Sequence, residues 1–178
     1  ALLVATVNMG FWQLRRLDAR QAHNATVAVR ADEPVVSLAE ALVVLAAGGT
    51  PDDLRYVRVF VEGTWDPGSE VLLANRSQDG VPGVHAVSLL RVYGAAGPFG
   101  LVVDRGFVPR PLVLAGDRSA WSPSGLSVVL TGSLDRFRAG EMGHGEEVDR
   151  IDRMALEARW GLTLAPMWLQ AAEPTGAD

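Results

Sequence analysis

Leu54 to Glu62 reads LRYVRVFVE, and its residues alternate, with Val57, Val59 and Val61 on one side and Tyr56, Arg58, Phe60 and Glu62 on the other. Successive side chains of a strand point to opposite faces, so this period of two predicts a strand with one face buried. Outward from it, runs rich in β-branched residues and leucine lie at Glu70–Asn75, Val84–Tyr93, Leu101–Arg105 and Leu126–Leu134, with a short last one at Met167–Gln170. Turn formers separate them: Asp66-Pro67-Gly68, Asp79-Gly80, Gly94 to Pro98 and Ser122 to Gly125. Such residues preset or tolerate the dihedrals of tight turns. Strands joined by turns in this way predict an α+β fold, mainly an antiparallel sheet or barrel with two peripheral helices.

The first helix is signalled by Ser37 with Glu40 three residues on, the capping-box spacing, and by Gly48 and Gly49 at its end. The second is expected to start from Asp149, to place Ile151, Met154, Ala155 and Ala158 on one face, and to stop at Gly161. A short strand is expected at Thr26–Val29.

With 178 residues, 48% of them hydrophobic, the chain is large enough for one domain with a substantial core. Cysteine is absent, which excludes disulfide frameworks, thiolate metal sites, cysteine nucleophiles and c-type haem attachment within these residues. The net charge of −5 and the lack of a basic stripe argue against nucleic acid as a partner. All 16 basic residues are arginine, the pattern expected of a GC-rich genome.

Ala1 to Trp12 (ALLVATVNMGFW) is almost wholly apolar until Arg15 and Arg16 interrupt it. A spanning helix needs roughly 20 residues, so these twelve are expected to be the end of one, with Trp12 at the membrane interface and Arg15, Arg16 and Arg20 among the headgroups. Residues 1–23 are therefore expected to be the end of a transmembrane helix and its exit segment, and residues 24–178 a β-rich domain.

Motifs of catalysis are missing. Neither G-x-G-x-x-G nor a lysine-bearing phosphate loop occurs, and no G-x-S-x-G elbow is present. The three histidines have no metal-binding spacing. His23 reads as a solvated or interfacial residue and His85 as a sheet-surface one. His144 sits with Met142 in a glycine-rich acidic loop that lacks the rigid surroundings a metal ligand needs. The five tryptophans are scattered, as core and interface anchors would be.

Four strings, in this order, resemble the surfeit-locus family of cytochrome c oxidase biogenesis proteins: GFWQLRRL at 10–17, LRYVRVFVEGTW at 54–65, LLANRSQDGVPG at 72–83 and LVVDRGFVP at 101–109. Each alone is weak; their order and spacing across most of the chain are specific. In that family a first transmembrane helix ends in a stretch matched here by Gly10, Trp12, Gln13, Leu14 and Arg16. The resemblance implies a bacterial, membrane-anchored assembly factor, a chaperone in the respiratory chain. Its main domain would stand on the extracytoplasmic side of the cell membrane, with cytochrome c oxidase subunits and membrane lipid as partners. It also implies transient haem a binding by the full-length protein, no bond-breaking activity, and delivery of haem a to the catalytic subunit. A non-enzymatic accessory subunit of a respiratory oxidase supercomplex is the alternative, and an extracytoplasmic hydrolase has only scattered serines and carboxylates in its favour.

Two departures from the family stand out. Its second transmembrane helix, which holds the histidine proposed to ligate haem a, has no counterpart in these residues. Asp104 stands where asparagine is more usual, a difference expected to alter one turn and little else. The candidate cofactor-binding residues are Trp12, Arg16 and Arg105. Arg105 presents a planar fork suited to a haem propionate, although anchoring the fold is the favoured reading of it. Gly63, Gly83 and Gly106 are expected to supply backbone conformations that other residues resist.

Overall fold

The computed structural model describes residues 15–17, 21, 24–30, 32–95, 97–123, 127–139 and 145–172. The chain divides into two compact units, 1–34 and 35–178. In the first, residues 24–30 are helical, so the strand expected at Thr26–Val29 does not form. Three β-branched residues in a run of four are a weak strand signal, and the local hydrogen bonding of a helix outweighs it. Among the described residues no helix is long and apolar enough to cross a membrane.

The described residues of the second unit form eight strands: β1 (Val36–Ser37), β2 (Arg58–Trp65), β3 (Val71–Gln78), β4 (Val81–Gly94), β5 (Gly97–Pro109), β6 (Ser127–Arg136), β7 (Glu147–Val148) and β8 (Met167–Ala171). Their order is β1-β2-β6-β8-β5-β4-β3-β7, and β2 also pairs with β4, which closes β2, β6, β8, β5 and β4 into a barrel. The sheet is mixed. β5 and β8 run parallel, as do β1 with β2 and β3 with β7, so the expected antiparallel sheet is correct only for the remaining pairs. Closure removes the open edges that a flat sheet of this length would expose.

β4 and β5 are buried on both faces, which explains their continuous apolar runs. Leu90, Val92, Leu101 and Val103 point into the barrel with Val59, Val61, Leu130 and Leu169. Val87, Leu89 and Val102 face the other way, onto Ile151, Leu156 and Leu164. In β2 the alternation holds, with Val59 and Val61 buried and Phe60 exposed, but the strand starts only at Arg58. Leu54 instead closes a 3₁₀ turn, Pro51–Leu54, and Tyr56 adopts a left-handed conformation at φ 64°.

Helix α1 (Leu38–Ala46) begins as its capping box requires: the Ser37 hydroxyl accepts from the Glu40 amide at 3.2 Å, and the Ser37 amide donates to the Glu40 carboxylate at 2.8 Å. A short helix, α2 (Arg110–Ala115), follows β5 and has no counterpart in the sequence reading. Helix α3 (Arg153–Trp160) is capped by Asp152, not Asp149, and stops at Gly161 in a left-handed conformation. The buried face is also not the expected one: Leu156 is buried and Met154, expected inside, is 79% exposed.

Two hairpin features of the quoted strings are resolved. Asp79 and Gly80, both with positive φ, make the two-residue turn between β3 and β4. In β5 the register slips: Val87 lies opposite Asp104 and His85 opposite Phe107, so Arg105 and Gly106 together face Ala86. That extra residue is a β-bulge, and Gly106 takes φ 110° there. Gly63 and Gly83 serve differently from the expectation. A Cβ at Gly63 would lie 2.6 Å from the Arg91 carbonyl, and one at Gly83 2.4 Å from that of Val108, so close approach and not conformation requires glycine.

Arg105 turns inward at the bulge. Its Nη2 donates to Glu70 at 2.7 Å and its Nε to Ser88 at 3.1 Å, with Trp65 stacked 5.7 Å from the guanidinium carbon. Glu70 also accepts from the Trp121 indole at 3.0 Å and from Ser122 at 3.2 Å. The pair's side chains are only 3% and 6% exposed. Burial pushes the pKa of Arg105 down, and Glu70 opposes this by charge and hydrogen bond. Removing one partner of such a pair leaves a buried charge without compensation, at a cost of about 3–5 kcal/mol. Glu70→Gln is therefore expected to lower the melting temperature by on the order of 10 °C. Adding Arg105→Met, which removes the stranded charge, should restore part of that loss. An unchanged melting temperature in Glu70→Gln would contradict this account.

Candidate functional site

The same bulge that buries Arg105 places Asp104 in an open groove. Asp104 Oδ1 accepts from the Gly106 amide at 2.9 Å, closing a short local turn, and Oδ2 lies 2.8 Å from His85 Nδ1. The Asp104 side chain is 4% exposed and that of His85 23%. Phe107 meets the imidazole edge-on, with ring centroids 6.3 Å apart. A carboxylate on Nδ1 fixes the ring's orientation and favours the tautomer with its proton there, which leaves Nε2 as an acceptor or ligand. Nε2 has no hydrogen-bond partner among the described residues. The aspartate thus does more than alter a turn: it adds a charged partner for His85.

The groove encloses about 520 Å³, a volume within the range of small-molecule sites. Its walls come from segments far apart in the chain. Leu73 and Arg76 come from β3, His85 from β4, Asp104 from β5, and Trp168 and Gln170 from β8. The end of β6 and the residues after it give Asp135, Arg136 and Arg138, and the segment between β7 and α3 gives Asp149, Arg150 and Ile151. Asn75, left-handed at φ 58° where the β3–β4 register slips, donates to Asp149 at 3.3 Å and so ties two of these walls together. Trp168 is held by its indole N–H, which donates to the Arg136 carbonyl at 2.9 Å.

Charge in the groove runs against the charge of the chain. Four arginines face three aspartates there, although the whole chain carries −5. The aspartates are engaged, Asp104 by His85, Asp135 by Arg55 at 3.0 Å and Asp149 by Asn75. Arg136 is engaged by Asp52 at 2.8 Å. Among the described residues, Arg76, Arg138 and Arg150 have no carboxylate partner. No cluster of three or more histidine, cysteine or carboxylate side chains with metal-binding geometry occurs among the described residues.

Of the residues singled out from sequence, Trp12, His23, Met142 and His144 lie outside the described residues. Arg16 is in a helical stretch of the first unit and is exposed. Arg105 is in the barrel unit but on the buried side of β5, bonded to Glu70 and Ser88. Sequence reasoning passed over His85, Arg76, Arg138, Arg150 and Trp168 as groove residues. The available signal was Asp104, an acidic residue where the family more often has an amide.

The strings LLANRSQDGVPG and LVVDRGFVP both end at this groove, through Leu73 and Arg76 in one and Asp104 in the other. No curated protein matches the chain. The model of the SURF1 family matches residues 1–178, the whole of the sequence, and the chain belongs to that family, which is associated with cytochrome oxidase assembly.

Proposed function

We propose that this protein is a non-enzymatic assembly factor that helps haem a reach the catalytic subunit of cytochrome c oxidase. In this reading residues 1–23 are the end of a membrane-spanning helix, Trp12 and Arg16 sit at the lipid interface, and the barrel unit works on the extracytoplasmic side. The observation that carries the reading is the family match over residues 1–178. Oxidase subunits are then the partners and haem a is cargo, held only in passing.

The groove suits such cargo by its donor set. His85, its Nδ1 fixed by Asp104, presents the second ring nitrogen as a candidate ligand or hydrogen-bond partner. Arg76, Arg138 and Arg150 are guanidinium forks for carboxylates. A factor of this kind has to hold its cargo and release it, so an open groove serves better than an enclosed cage.

The test is deletion of the protein in its host, followed by reduced-minus-oxidised spectra of the membranes and quantitation of the oxidase subunits. The expected result is loss of most of the haem a signal while the catalytic subunit polypeptide is still detected. Unchanged haem a content, with the protein recovered at one copy per oxidase, would overturn the reading in favour of an accessory subunit.

A further inference from the structure

Three arginines of the groove have no carboxylate partner among the described residues. Of the other arginines, Arg55, Arg91, Arg110, Arg118 and Arg153 pair with carboxylates, whereas the exposed Arg159 bonds the Gly145 carbonyl. Arg76, Arg138 and Arg150 line one concavity and have no such partner among the described residues; of the concavity's own aspartates, Asp135 pairs with Arg55, Asp104 with His85 of the same groove and Asp149 with the Asn75 amide. Four arginines against three aspartates leave the groove with one excess positive charge on a chain of net charge −5, a local field that favours an anionic guest. Leu73, Ile151 and Trp168 give the same groove an apolar lining.

We propose that this groove binds the carboxylates of a small amphipathic acid, with Arg138, Arg150 and Arg76 receiving the acid groups and Trp168 and Ile151 contacting its apolar body. Guanidinium is the group of choice because its planar fork matches a carboxylate with two parallel hydrogen bonds. The volume of about 520 Å³ fits a compact ligand and not a docked protein surface. Arg105, only 4% exposed, is not part of this site: its Nε and Nη2 donate to Ser88 and Glu70 on the other face of β5. Taking the acid to be a tetrapyrrole with free propionates rests on the haem reading above; the groove's preference for carboxylates does not.

The full chain is titrated with iron-free protoporphyrin and with its dimethyl ester, which keeps the ring and loses both acid groups. Binding is followed by quenching of tryptophan fluorescence. The free acid is expected to bind at least about ten-fold more tightly than the ester, the scale of a lost charge-assisted bidentate contact. Arg138→Glu with Arg150→Glu should weaken the free acid by a similar factor and leave the ester unchanged. Both residues are exposed, so circular dichroism and melting temperature should match the parent protein. Equal affinity for acid and ester, or charge reversal without effect on the acid, would overturn the proposal. Haem a loss on deletion together with that result would remove the carboxylate site and leave the delivery role standing. Normal haem a content on deletion, with acid still preferred over ester, would do the reverse.

Discussion

One extra residue in β5 organises this protein. Arg105 and Gly106 stand where β4 offers only Ala86, and two neighbouring charged side chains, Asp104 and Arg105, lie on opposite faces of the strand at this slip in register. Without the bulge a strand would still place Asp104 and Arg105 on opposite faces, but the Asp104 carboxylate would have no Gly106 amide folded back within reach. The left-handed backbone at Gly106 makes that return possible. A side chain at this position would strain it, since residues with a Cβ resist such a φ.

On the inner side, the arginine is buried and paired with a carboxylate. Glu70 meets it from the start of β3, Ser88 from β4, and Trp121 and Ser122 reach the same carboxylate from the loop after α2. These contacts tie three strands and a loop to one ion pair. A pair of this kind adds little net stability relative to a well-packed apolar replacement, but it penalises any arrangement that leaves one charge behind. It therefore serves to fix the register of β5 against β3 and β4. On the outer side, the same fixed register presents Asp104 and His85 to the groove, where Arg76, Arg138 and Arg150 converge from other segments. The buried pair and the Asp104–His85 pair thus lie on opposite faces of one strand, at its bulge.

Much of the scaffold was legible in the residues. The alternation through Val57–Glu62 marked the face of β2, Ser37 and Glu40 marked the start of α1, and Asp79-Gly80 marked the hairpin. Parallel pairing of β5 with β8 was not legible, because alternation reports burial and carries no information on strand direction. Two-residue strands such as β1 and β7 are too short for any period to show. The buried face of α3 was not legible, because its one buried side chain is Leu156 and Ile151 lies outside the helix. The groove was hidden for a different reason: its arginines lie at 76, 138 and 150, each unremarkable in its own segment, and only closure of the barrel unit brings them to one place. His85 looked like a surface histidine because its partner is nineteen residues away on the next strand.

The central claim is that Arg105 is sealed inside while the arginines of the groove remain open, and side-chain reactivity measures this directly. The folded protein is treated with an arginine-selective dicarbonyl reagent and modification at each arginine is followed by peptide mass spectrometry. Arg138 and Arg150 are expected to react readily and Arg105 to stay unmodified until the protein unfolds. Modification of Arg105 in the folded protein at the rate of Arg138 and Arg150 would contradict the account.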